Sequence, residues 1–122
     1  MSNEPYTSFA RSCERLQDIL QAEHTVANRD SAIKRFEMTV ELAWKTTQRR
    51  VAKEGVVCRS PRGCLEEAFK LGLIEDDPVW LDMLETRNLT VHTYDEQFAE
   101  HVYTRLPGYL KALQALSLRL AE

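Results

Sequence analysis

No apolar run in this chain is long enough to cross a bilayer, and the opening residues Met1 to Pro5 are polar where a secretory leader would be apolar. Those two absences predict a cytoplasmic protein with no membrane contact. Cysteine is scarce. Cys13, Cys58 and Cys64 are odd in number, form no CxxC pair and have no histidine at zinc-ligand spacing, so the expectation is reduced structural thiols and no metal site. Basic residues do not predominate either: 16 Lys and Arg against 19 Asp and Glu leave a net charge of −3, which excludes a surface built for bulk nucleic-acid binding. Any such contact has to be local. The sequence also lacks period-two alternation, internal repeats, low-complexity tracts and linkers. Sheet, solenoid and multidomain architectures are thereby set aside, leaving one all-α domain over residues 1–122 whose length suffices for a single core.

What is present is helical periodicity. Phe9, Cys13, Leu16, Ile19 and Leu20 make a stripe within a first helix expected from about Tyr6 to Ala27. Asn28 and Asp30 offer capping chemistry for a second helix, in which Ile33, Phe36, Val40, Ala43, Trp44, Thr47 and Val51 recur until Gly55. Its other face, including Glu37, Glu41 and Lys45, reads as solvated. Ser60-Pro61 starts a short third helix that Gly72 stops, and Asp77-Pro78 starts a fourth. Trp80, Leu81, Met83, Leu84 and Val91 cover more of that fourth helix than one stripe requires, which predicts burial on two sides. Thr93 and Glu96 fit a capping box opening a fifth helix, with Phe98, Val102, Leu106, Tyr109, Leu110, Leu113 and Leu120 on one face and a kink expected at Pro107. Three long and two shorter helices are best satisfied by an antiparallel four-to-five-helix bundle with Trp44 and the leucines of the last helix in its core.

Between the fourth and fifth helices lies Arg87-Asn88-Leu89-Thr90-Val91-His92-Thr93-Tyr94-Asp95, where strongly functional side chains gather. At about 100° per residue Asn88 and His92 share a helical face, whereas Arg87 and His92 differ by about 140°. Either the helix ends before His92, or two copies of the chain combine their residues across a two-fold axis. Arg49, Arg50, Lys53, Arg59 and Arg62 form the densest basic run, read first as exposed charge. His24 and His101, on separate helices among polar residues, read as solvated, and Asp95 and Glu96 as cap and first-turn charges.

In order and spacing, Arg35-Phe36-Glu37 with Glu41-Leu42-Ala43-Trp44-Lys45, Ser60-Pro61-Arg62, Glu67-Ala68-Phe69-Lys70-Leu71-Gly72-Leu73-Ile74 and the segment from Arg87 to Asp95 resemble the HEPN-fold nucleotidyltransferase substrate-binding family over nearly the whole chain. The resemblance implies a bundle that forms a two-fold homodimer and works with a separately encoded minimal nucleotidyltransferase, the MNT protein. In the HEPN superfamily, arginine, four to six residues and then histidine mark metal-independent RNA-cleaving members. Arg87 and His92 match with four residues between them. In the toxin branch the motif extends to a tyrosine two places on, which the MNT antitoxin modifies with AMP, and Tyr94 stands there.

On that resemblance His92 is the candidate general base, Arg87 the cation for a phosphate gaining charge, and Asn88 the group that orients imidazole or substrate. The structural alternative pairs Arg87 with Glu85 or Asp95, lets Asn88 and His92 satisfy the helix end, and makes Tyr94 an aromatic staple. Without a glycine-rich phosphate loop or a nucleotidyltransferase carboxylate set, the chain is not expected to transfer nucleotides itself, and no cofactor is expected. Two functions follow. One is a toxin endoribonuclease silenced through Tyr94, and the other is a non-catalytic substrate-binding subunit of a two-component nucleotidyltransferase.

Overall fold

The computed structural model describes residues 4–121, so the part of the leader reading that falls on Met1 to Asn3 lies outside the described residues. Five α-helices follow in order: α1 Glu4–Gln21, α2 Val26–Ala52, α3 Pro61–Lys70, α4 Val79–Leu89 and α5 Glu96–Leu120, with a 3₁₀ turn over Thr90–His92 between the last two. There is no strand among the described residues, and no helix among them is long and apolar enough to cross a membrane.

The three long helices α1, α2 and α5 pack on one another, α4 lies against α5, and α3 is set against α2 and α4. Their apolar stripes meet in one core, where Phe9 and Leu16 of α1, Phe36 of α2, Met83 of α4 and Leu106, Leu113 and Leu116 of α5 are fully buried. Each such side chain contributes about 1.5–3 kcal/mol relative to exposure, which is why the stripes decide the helix faces. Gly55 and Gly72 end α2 and α3 with φ of 79° and 75°, a left-handed turn that β-carbons disfavour. The α5 helix continues through Pro107 as a single element.

Several expectations are corrected at the helix ends. α1 stops at Gln21, and the cap of α2 is Thr25, whose hydroxyl accepts from the Asn28 amide, so Asn28 and Asp30 lie inside the helix. At α5 the cap is Asp95, accepting from the Phe98 amide at 3.1 Å with Glu96 in the first turn, as their reading as cap and first-turn charges expected. The capping box of Thr93 and Glu96 does not form, and the Thr93 hydroxyl donates to the Thr90 carbonyl at 2.8 Å. Trp44 is only half-buried and packs on a second, smaller cluster of Val51, Cys58 and Cys64, whereas Trp80 is the tryptophan of the main core.

The thiol expectation is also overturned. Cys58 and Cys64 form a disulfide with their α-carbons 5.1 Å apart. Cys58 lies in the loop after α2 and Cys64 in the first turn of α3, and that turn carries the thiol back over the loop, a closure that a search for CxxC pairs does not detect. Cys13 stays a free, buried thiol, its pKa pushed up to about 12 by burial and, to a smaller degree, by Glu14. Chain-entropy reasoning for so short a loop puts the crosslink at about 2 kcal/mol. Reduction, or replacement of both Cys58 and Cys64 by serine, is therefore expected to lower the unfolding free energy in urea by that amount. Equal midpoints with and without reductant would show that the crosslink carries none of the stability.

Candidate functional site

The segment singled out by sequence lies at one end of α4, and the helix does end before His92. α4 closes at Leu89 and the chain tightens into the 3₁₀ turn, with the Thr93 amide donating to the Thr90 carbonyl at 3.2 Å. The tightening is braced by α2. The buried Thr90 hydroxyl sits 2.7 Å from Glu37 Oε2 and also 2.7 Å from the Arg87 carbonyl, linking the turn to the supposedly solvated face of α2.

Arg87 is anchored to that same face. Its Nη2 donates to Glu41 Oε1 at 3.0 Å, so its acidic partner is Glu41 on α2 rather than Glu85 or Asp95. The second oxygen of the same carboxylate accepts from the Trp44 indole at 2.9 Å. One glutamate thus fixes both the guanidinium and the ring. Beside them lies a cleft of about 520 Å³, walled by Trp44, Ser60, Arg62, Leu81, Arg87 and Asn88 among others. Residues of α2, the start of α3 and α4 meet there, a convergence that no single stretch of sequence displays.

His92 and Tyr94 are both exposed, with Tyr94 at 80%. That exposure rules out the staple reading, because the ring covers no core. Instead the His92 Nδ1 lies 3.3 Å from the Tyr94 hydroxyl, the rings meeting edge to face with centroids 5.9 Å apart. Asn88 is exposed and borders the cleft beside Arg87. The change to 3₁₀ winding breaks the four-residue helical face that Asn88 and His92 would have shared. Within one chain α4 is buried on one side. Trp80, Met83 and Thr86 are buried, while Leu81, Leu89 and Val91 remain exposed.

Sequence reasoning missed Arg29. It is 2% exposed, and its guanidinium meets three carboxylates: Glu100 at 3.0 Å, Glu96 at 2.8 Å and Asp30 at 2.9 Å. Hydrogen bonding to Glu100 leads the causes that hold its pKa above the usual arginine range, against the desolvation that lowers it. Glu100 also takes His24, 3.1 Å away and stacked on Tyr103, so His24 is partnered rather than merely solvated. The cluster pins the start of α5, and hence the turn bearing Tyr94, to the start of α2. A cation in the first turn of a helix opposes the dipole, but with the helix read as capped at Asn28 and Asp30 the sequence showed no sign that Arg29 lies in that turn.

No group of three or more His, Cys, Asp or Glu among the described residues is placed to hold a metal ion.

A five-helix bundle with the Arg87, His92 and Tyr94 segment at the end of its fourth helix defines a protein of the HEPN kind. More specifically, the chain belongs to the family described as "Nucleotidyltransferase substrate binding protein like", whose family model matches residues 4–122. Among solved structures, a Thermus thermophilus protein is 35% identical, with a TM-score of 0.88 over 93% of this chain and 99% of that one. A Haemophilus influenzae protein, described as revealing the fold of a substrate binding domain of a nucleotidyltransferase, shares the fold at 23% identity and a TM-score of 0.72, over 97% of this chain and 95% of that one. A curated Haemophilus influenzae relative named "Probable ribonuclease HepT" is 32% identical over 84 residues. That match spans 65% of this chain and 58% of the relative's length.

Proposed function

We propose that this chain is the HEPN component of a two-gene toxin and antitoxin pair, a metal-independent endoribonuclease silenced when its nucleotidyltransferase partner attaches AMP to Tyr94. The observation that carries the reading is the contact between His92 and Tyr94 on an exposed turn, with Arg87 in the last turn of the helix behind them. The name of the HepT relative supports it.

In the proposed reaction His92 takes the proton of a ribose 2′-hydroxyl and the resulting oxygen attacks the adjacent phosphorus. The bond from phosphorus to the 5′-oxygen breaks, that oxygen leaves with the proton from His92, and a 2′,3′-cyclic phosphate remains. Arg87 offsets the charge gathering on the phosphate. The exposed Leu89 and Val91 offer an apolar seam for the two-fold homodimer expected from sequence, in which Arg87 of one copy would serve His92 of the other. The direct test is cleavage of RNA by the purified chain. Activity should survive EDTA and leave cyclic phosphate ends. Loss on chelation with recovery on adding magnesium would contradict the roles given to Arg87 and His92.

Silencing follows from the same contact. In the modification the Tyr94 phenol oxygen bonds to the α-phosphorus of ATP, pyrophosphate leaves and the phenolic proton is lost. The bulky anion then stands beside His92 where an RNA backbone would lie, and repels it. Incubation with the partner and ATP is expected to add the mass of one AMP to wild type and nothing to Tyr94→Phe. A gain that persists in Tyr94→Phe would place the modification elsewhere.

The alternative, a non-catalytic substrate-binding subunit of a two-component nucleotidyltransferase, draws on the Arg87 and Glu41 pair, since a guanidinium already neutralised suits recognition as well as catalysis. A chain that binds RNA or nucleotide without cleaving it would decide for this reading.

A further inference from the structure

We propose that the cleft bordered by Trp44, Arg62 and Arg87 is a nucleotide subsite, in which a base lies against the Trp44 ring and the adjoining phosphate meets the two guanidinium groups. The proposal deepens the endoribonuclease reading, on which it rests for the identity of the chain that enters, and it assigns work to residues outside the Arg87 to Tyr94 segment.

The volume of about 520 Å³ is ample for one base and its sugar. The walls divide by chemistry. Val40, Leu81 and Leu84 supply apolar surface beside Trp44, while Arg62 and Arg87 supply positive charge and Ser60 and Asn88 supply hydrogen-bonding groups. Unpaired bases are bound in this way, stacked on an aromatic ring and read along an edge, with arginine meeting the phosphate. The ring is preorganised, since the Trp44 indole is held by Glu41 at 2.9 Å, so little rotamer freedom remains to be lost on binding.

Arg62 is available to engage a phosphate. Its side chain is 70% exposed and pairs with the equally exposed Glu66, 3.4 Å away and one turn on, a kind of pair that contributes little. The loop that ends in Ser60, and the first turn of α3 that carries Arg62, are held in place by the Cys58–Cys64 crosslink and by the Gln48 side-chain amide, which donates to the Cys58 carbonyl at 2.7 Å. Glu85 is the single acidic residue among the described residues of the lining. Among the described residues no three metal-ligating side chains converge there, which disfavours a divalent cation as occupant, and the charged rim of Arg62, Glu85 and Arg87 disfavours a purely apolar ligand. A phosphate would meet Arg87 beside its Glu41 partner and Arg62 in exchange for the exposed Glu66.

A nucleotide could enter as part of a single-stranded RNA or as a free mononucleotide. Both are tested on the His92→Ala chain, using a short, fluorescently labelled, 2′-O-methylated oligoribonucleotide, which cannot be cleaved by transesterification, with unlabelled AMP as competitor. Anisotropy is expected to show saturable binding of the oligonucleotide, with AMP competing only weakly. Adding Arg62→Ala, and separately Trp44→Ala, should each raise Kd about tenfold with helical circular dichroism unchanged. Arg62 is exposed, so its variant remains informative should Trp44→Ala disturb packing. Affinities within about twofold of the parent in folded Arg62→Ala would overturn the subsite. AMP binding without oligonucleotide binding would overturn its assignment to RNA. Arg62-dependent binding by a wild-type chain that never cleaves RNA would instead sink the endoribonuclease reading and leave the subsite standing.

Discussion

On the proposed endoribonuclease reading, His92→Ala is expected to slow RNA cleavage by about 10²–10⁴-fold, the usual contribution of a positioned general base. The side chain is exposed and its contact is with the equally exposed Tyr94 hydroxyl, so the melting temperature should not move. Arg87→Ala should be comparably inactive. It leaves Glu41 without its guanidinium, but that carboxylate is partly exposed and retains the Trp44 indole, so the stability cost should stay below about 1 kcal/mol.

The two inactive chains also test where the site is completed. If each site takes Arg87 from one copy and His92 from the other, mixing His92→Ala with Arg87→Ala and allowing exchange recovers about a quarter of wild-type activity, because random pairing yields mixed dimers about half the time and each has one intact site. If both residues act within one chain, mixing recovers nothing. Full activity in either single variant would remove the catalytic assignment altogether.

Arg29→Ala carries the largest expected effect on folding, about 2–4 kcal/mol measured by urea unfolding at neutral pH. The substitution empties a fully buried site and strips Glu96 and Glu100 of the cation that ties α5 to α2. Hydrogen bonding to Arg29 holds the Glu100 carboxyl below the usual range. A carboxylate with a depressed folded-state pKa contributes stability that is present above its unfolded value, about 4.3, and is lost as pH falls through the lower folded value. The gap between wild type and Arg29→Ala should therefore be widest near neutrality and narrow below about pH 4. A gap that stays constant down to about pH 3 would mean that packing alone accounts for the cost.

The helices themselves were legible because burial repeats with the helical period. Phe36, Val40 and Val51 on α2 and Val102, Leu106, Leu110 and Leu113 on α5 mark faces that are indeed buried. Helix ends were less legible. Thr25, Asn28 and Asp30 all carry capping oxygens, and which one caps depends on where the preceding loop turns, information that resides in the packing of α1 on α2.

The motif segment was likewise visible as a cluster of residue types, but its partners were not. Glu37 and Glu41 look like members of a solvated face until α4 is laid against α2, and then one accepts from Thr90 and the other from Arg87. Arg29 is a single charge in a polar stretch until α5 brings Glu96 and Glu100, more than sixty residues away, to its guanidinium.

By itself, then, the sequence determined an all-α domain, the faces its helices bury and the stretch that bears Arg87, Asn88, His92 and Tyr94, since these follow from periodicity and residue type along a continuous chain. Only the tertiary structure decided that Glu41 holds Arg87 and Trp44 together, that Cys58 meets Cys64, that Tyr94 stands exposed against His92, and that α2, α3 and α4 enclose one cleft. Those are pairings between side chains distant in sequence or set by local loop closure, and they exist only once burial of the apolar stripes has chosen which helices touch.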